Sequence, residues 1–427
     1  MKRGALLLLL LAFGGSGCRK SATSDRVTLE FWGLGREGEV VAELLPEFHR
    51  RHPGIRVEVQ QIPWTAAHEK LLTGVAGDAT PDLSQLGNTW VSELVALNAL
   101  EPLDPWIARS PDTSGVDRTD YFPGIWATNV IEGKLYGIPW YVDTRVVFYR
   151  KDILARAGYA APPRTWAEWE GALARVKQIA GEGNYAILLP TNEFEQLLVF
   201  GLQQDAPLLR ENGTRGNFES PEFRRAFTFY VDMFRKGWAP VAADTQISNV
   251  WDEFAKGYFA FYISGPWQIG EFTRRLPPEL QDDWMTAPIP GPRGPGVSVA
   301  GGSSLVIFQG SERKAEAWKL VEYLSEPAVQ AEFYRITGNL PPRKTAWQAP
   351  VFAENPYARA FREQLERLEP SPAVPEWERI VQKMRVYSEE VVNGRRTIDD
   401  ALSAFNREVD RMLEKRRWLL ARRQSPQ

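Results

Sequence analysis

The first chemically suggestive run is Gly33-Leu34-Gly35-Arg36-Glu37-Gly38. It matches the G-x-G-x-x-G spacing that lets a pyrophosphate settle against backbone N–H groups at the start of a helix. Glu37 argues against that ligand, because its carboxylate would point at the anion. The same geometry suits another chemistry, a turn at the carboxyl end of a strand in which Glu37 accepts hydrogen bonds from hydroxyl groups. His68-Glu69 opens like a zinc-protease motif, but Leu72 stands where the second histidine would be. The only histidines are His49, His52 and His68, which is little material for a His-rich metal centre or a histidine-based triad. Neither a G-x-S-x-G elbow nor a P-loop occurs. No metal and no cofactor are expected.

Aromatic residues are the other resource. Sixteen tryptophans offer flat apolar faces to a ligand, although most tryptophans in any protein serve as core or surface anchors. Trp90, Trp166, Trp169 and Trp318 lie on helical patterns and read as core. Trp64, Trp140 and Trp251, together with Gln61, fit core and ligand-facing roles equally well. Asp82, after Pro81, reads as a cap or turn residue.

The elements that must position these groups follow from periodicity. Val27 to Trp32 alternates and is β-rich, and Gly33 to Gly38 breaks it. Val40, Val41, Leu44, Leu45 and Phe48 recur at helical spacing until Pro53-Gly54, and Ile55 to Val59 is a second strand. This βαβ unit predicts an α/β lobe with a largely parallel sheet. Further strands are expected at Gly137 to Tyr149, Tyr185 to Leu189, Ala260 to Ile263 and Ser303 to Phe308. Thr165 with Glu168 forms a capping box, Ser220-Pro221 caps another helix, and Thr397 starts a terminal helix that Lys415-Arg416-Arg417 should end. About 400 residues exceed one comfortable core, so two lobes are expected. The absence of a Pro/Ser/Gly-rich seam between them favours lobes that exchange strands across a hinge.

The chain opens with a basic Met1-Lys2-Arg3, an apolar run from Ala5 to Phe13, and Gly14-Gly15-Ser16-Gly17-Cys18, the layout of a secretory signal. That run is too short to span a membrane, and no later stretch comes close. Cys18 is the single cysteine, so no internal disulfide forms; its place after small residues resembles the lipobox of bacterial lipoproteins, with Gly15 where an aliphatic residue is usual. The expected organisation is a signal peptide at 1–17 and a lipidated N-terminus and flexible tether at 18–26. A formal charge of -3 gives no basic field for nucleic acid. Nicotinamide cofactors are not expected outside the cytoplasm.

Longer stretches carry a resemblance. Pro81 to Trp90 (PDLSQLGNTW), Leu135 to Arg145 running into Phe148 to Asp152, Ile263 to Trp267, Ala300 to Ser304, and Thr337 to Arg343 (TGNLPPR) resemble, together and in order, the family 1 extracellular solute-binding proteins. Within that family the sequence looks closest to binders of trehalose, maltose, sucrose and related α-glucosides. The resemblance implies an α/β, two-lobed, periplasmic-binding-protein-like clamp (type II), each lobe a mostly parallel sheet flanked by helices, with a hinge of crossing strands. Residues 27–139 and 287–325 would form lobe 1, and residues 140–286 and 326–427 lobe 2. It implies that Tyr141 and Asp143 pack and bind a sugar, that Trp267 stacks on it, that Asn88 faces the cleft, and that Gly301, Gly302 and Ser303 approach it through backbone donors. Arg145 and Arg343, within the matching stretches, join the expected site. The implied partners are a small carbohydrate and the permease subunits of an ABC importer, with membrane contact only through the Cys18 anchor and the receptor itself a monomer.

The chemistry of such a ligand fits these residue types. A pyranose has an apolar C–H face that stacks on indole and an edge of hydroxyls that each donate and accept, which suits Asp, Glu, Asn and Arg. Two other readings remain open. An exported glycoside hydrolase would need two carboxylates ~5 to 9 Å apart across one bond. A clamp for polyamine or glycerol phosphate would want several acids in an aromatic box, or clustered arginines.

Overall fold

The computed structural model describes residues 26–109, 115–247 and 249–424. The expected signal peptide and Cys18 lie outside the described residues. Nine strands carry two main sheets: β1 (Val27–Leu34), β2 (Ile55–Ile62), β3 (Leu83–Gly87), β4 (Ile138–Asp143), β5 (Val146–Arg150), β6 (Ile187–Leu188), β7 (Phe261–Ser264), β8 (Trp284–Ala287) and β9 (Gly301–Ile307). Their order is β2-β1-β3-β9-β4 in the first sheet and β8-β5-β7-β6 in the second.

The sheets are mixed, which corrects the expectation of mostly parallel ones. β1 runs parallel to β2 and β3, but β9 is antiparallel to both β3 and β4. In the second sheet only the β6–β7 pair is parallel; β5 is antiparallel to β7 and β8. The cause is the interlobe crossing. A chain that leaves one sheet and enters the next within a few residues arrives without the helical crossover that parallel pairing requires.

Both sheets are covered on two faces, as the side-chain alternation of their strands requires. Phe31, Leu305 and Ile307 point into one core with Phe48, Trp318 and Phe333, while Trp32, Leu34 and Val306 point into another with Leu71 and Val91. In the second lobe Val147 and Tyr149 pack with Trp169, Phe200 and Phe227, and Val146 and Phe148 pack with Phe272, Trp284 and Phe361. The predicted helix starts are present. Thr165 and Glu168 form the capping box of Trp166–Ala180, Ser220 caps Pro221–Arg235, and Thr397 caps Ile398–Met412. The basic cluster does not end the chain's helices: Glu414–Gln424 is helical through it.

The stretch Gly137 to Tyr149, expected as one strand, is two. β4 belongs to the first sheet and β5 to the second, so the chain passes between lobes at Thr144-Arg145 rather than before Trp140. It returns between β8 and β9, where Ser298 Oγ accepts from the Arg145 amide at 3.2 Å and donates to the Arg145 carbonyl at 2.9 Å. A third pass follows the helix Pro327–Thr337, which still packs Val329 and Phe333 into the first lobe's core. There the Val142 amide donates to the Leu340 carbonyl at 2.8 Å.

Candidate functional site

A cleft of about 610 Å³ lies between the lobes, within the ~300 to 1,000 Å³ usual for small-ligand sites. Its first wall is built at the carboxyl ends of strands, where open α/β sheets place ligands. Glu37 follows β1, Trp64 follows β2, Asn88 follows β3, and Tyr141 and Asp143 end β4, with Gly301 and Gly302 beside them at the start of β9. The opposing wall comes from the second lobe: Arg145 on the crossing, Phe194, Glu195 and Leu198 on one helix, Trp267 at the start of another, and Trp377 and Glu378 at the start of a third.

Two tryptophans present their faces because glycines make room. Trp64 and Trp267 are 37% and 39% exposed. A Cβ on Gly265 would lie 1.9 Å from the Trp267 indole, and one on Gly35, whose φ is +54°, would lie 2.4 Å from Trp64. Any side chain at either glycine would push its ring out of position. Trp90 stands edge-on to Trp64 with centroids 5.6 Å apart, so it lines the cleft rather than serving only the core.

The polar groups form a charged floor. Arg145 donates to Asp143 at 2.5 Å and to Glu195 at 3.4 Å, and its guanidinium lies 5.0 Å from the Trp267 ring centre. Burial pushes the Asp143 carboxyl above its ordinary value; Arg145 opposes the rise and Glu195 adds to it. Burial works against the charge on Arg145, yet Asp143 and Glu195 hold it protonated, with its pKa above the ordinary value. Glu37 accepts from Asn339 at 2.7 Å and from the Trp64 indole N–H at 3.4 Å. Asn88 accepts from Ser304 at 3.0 Å through Oδ1, but its buried Nδ2 has no partner among the described residues. An unpaired buried donor costs about 1 to 3 kcal/mol, and Asn88 stands at the edge of the cleft. Thr89 Oγ1 donates to Glu378 and joins the two walls.

Other expected site residues stand elsewhere. Trp140 is buried, stacked on Phe333 at 4.5 Å and edge-on to Phe31, and is a core residue of the first lobe because β4 turns that face inward. Arg343 is buried in an ion pair with Asp120 at 2.6 Å and donates to the Gly115 and Ser325 carbonyls. Trp251 packs on the second lobe, its N–H on Gln268 at 2.9 Å and Arg275 over its ring. Gln61 donates to the Gly35 carbonyl at 3.3 Å and braces the Glu37 turn from outside the cleft. Ser303 lies behind the wall, where it and Gln85 donate to the Tyr141 hydroxyl at 3.1 and 3.2 Å. Burial holds that phenol well above its ordinary pKa.

The cleft also gathers residues that sequence reasoning missed. Asn339 lies inside the family-like stretch Thr337 to Arg343 and was legible there. Glu195, Trp377 and Glu378 carry no local mark, because helices distant in sequence bring them to the wall. Among the described residues no group of three or more His, Cys, Asp or Glu is placed to hold a metal ion, and no helix is long and apolar enough to cross a membrane.

Two lobes, strand crossings at a hinge and an interlobe cleft define a clamp that binds solutes. The chain belongs to the bacterial extracellular solute-binding protein family, whose model matches residues 32–331; it is an exported binding protein rather than an enzyme. Among solved structures, the sugar-binding protein MalE from the phytopathogen Xanthomonas citri is 53% identical, covering 94% of this chain and 100% of that one at a TM-score of 0.90. Maltose-bound MalE3 of T. maritima is 25% identical over 90% and 99% of the two chains, with a TM-score of 0.74. The diacetylchitobiose binding protein DasA of Streptomyces coelicolor is 25% identical over 84% of this chain and 83% of its own length.

Proposed function

We propose that this chain captures an α-linked disaccharide or small oligosaccharide outside the cytoplasm and delivers it to the membrane subunits of an ABC importer, itself held to the membrane by a lipid on Cys18. The observation that carries this reading is the pairing, in one cleft, of exposed indole faces with carboxylate, guanidinium and amide groups of the kind that hydroxyls bridge. Trp267 and Trp64 supply apolar faces for pyranose C–H groups. Asp143, Glu37 and Glu195 accept from hydroxyls, while Arg145 and Asn88 Nδ2 donate. Closure of the lobes excludes water and strengthens each of these bonds. The 53% identity to a sugar-binding protein supports the ligand class. Phosphate fits less well, because Arg145 already serves two carboxylates.

A thermal-shift screen of the purified chain against some tens of sugars tests the proposal. A ligand at ~100 times its dissociation constant adds ~2.7 kcal/mol of stability, a clear rise in melting temperature. A screen in which no saccharide shifts the melting curve, while a polyamine or a phosphate ester does, refutes it.

A further inference from the structure

The helix Glu414–Gln424, on the second lobe, has the sequence EKRRWLLARRQ. Its two sides differ. Arg416, Arg417 and Leu420 face the protein and are half-buried, with Arg417 donating to the Thr214 carbonyl at 2.7 Å. Lys415, Trp418, Leu419 and Arg422, at positions i, i+3, i+4 and i+7 of one helical stripe, are all exposed. Trp418 and Leu419 are 53% and 44% exposed, and the Arg422 guanidinium lies 4.0 Å from the Trp418 ring centre. An indole and a leucine are thus set in water on the exposed side of a helix, bracketed by cations.

We infer that this stripe docks on an anionic phospholipid surface. Indole settles at the headgroup level of a bilayer, leucine enters the acyl boundary, and lysine and arginine meet lipid phosphates. Four side chains are far too few for a stable protein interface, which buries ~800 Å² on each partner; a lipid surface asks for no matching shape. The whole chain carries a formal charge of -3, so the attraction belongs to the stripe and fixes which side of the molecule faces the membrane. The stripe gives the second lobe a contact of its own, apart from the N-terminal segment that leads into β1 of the first lobe.

The test uses the chain of residues 19–427, so that neither an acyl group nor the basic, apolar segment Met1 to Phe13 contributes. It is sedimented with vesicles of phosphatidylglycerol and phosphatidylethanolamine, and separately with vesicles of phosphatidylcholine alone. Binding to the anionic vesicles should exceed binding to the neutral ones and fall with added salt. Lys415→Gln with Arg422→Gln should lower the partition coefficient about 25-fold, at about fivefold for each cation removed. Trp418→Ser with Leu419→Ser should lower it about tenfold or more. All variants should keep the parent's melting temperature. Absence of binding, equal binding to both vesicle types, or variants that sediment like the parent would each overturn the inference; the last result would assign any binding to another surface.

Discussion

Replacing Trp267 by alanine should weaken sugar binding without unfolding the protein, and the structure sets the size of the effect. An indole side chain presents up to ~250 Å², so its 39% exposure leaves about 100 Å² for a ligand to cover. At ~25 cal/mol per Å² the full area is worth ~2.5 kcal/mol, and one ring face about half of that. Affinity should therefore fall between about 8-fold and about 70-fold. Stability without ligand should change less, because more than a third of the residue already faces water and the Arg145 guanidinium 5.0 Å away adds a partly exposed cation–π pair worth only ~0.5 to 1 kcal/mol. Gly265→Ala offers an independent route to the same outcome. Its Cβ would lie 1.9 Å from the indole, so the ring must swing away although the tryptophan is still present. Titration calorimetry with the best sugar from the screen, beside melting curves of the free proteins, measures both. Unchanged affinity in a folded Trp267→Ala protein would refute the stacking argument; a large loss of melting temperature with affinity retained would make Trp267 a structural residue.

Asp143→Asn should lower affinity at least as much, because charge-assisted hydrogen bonds are the strong ones and an amide offers donors where acceptors are wanted. The same variant tests the sign of a pH effect. Burial raises the folded-state pKa of Asp143 above its unfolded value, so its favourable contribution is present at acid pH and is lost as pH rises through the raised pKa. Asn should then keep or raise the ligand-free melting temperature at pH 7, and the difference from the parent should shrink near pH 4; a marked fall at pH 7 would contradict this. Arg343→Ala should cost up to ~3 to 5 kcal/mol of stability by removing the counter-ion of Asp120, which keeps only its bonds from Thr345, with sugar affinity unchanged once folded, and calorimetry beside denaturant curves separates the two. Cys18→Ser should move the protein from the detergent phase to the aqueous phase with affinity retained; a wild type already wholly aqueous after processing would sink the anchor.

Much of the cleft could be read along the chain where neighbouring residues carried the information. The Gly33 to Gly38 turn was legible as a strand-end loop carrying a carboxylate for hydroxyls; Asn88, Tyr141, Asp143 and Trp267 came from the family resemblance of the stretches that hold them, and the crossing itself lies later than expected, at Thr144-Arg145. Helix starts were equally legible at Thr165, Ser220 and Thr397, because a cap is a contact between residues three apart. What a side chain faces is not a local property. Trp140 and Tyr141 are adjacent and both are buried in the first lobe's core beside Phe333, yet only Tyr141 also reaches the cleft. Arg343 looked like a ligand donor until the fold brought it to Asp120, over two hundred positions away. Sheet direction was decided by the crossing at Thr144-Arg145, and Glu195, Trp377 and Glu378 reached the cleft only because helices distant in sequence pack into the second lobe's core. Composition and periodicity were enough to establish a two-lobed α/β chain with export features; tertiary packing alone determined which polar groups were left facing the space between the lobes.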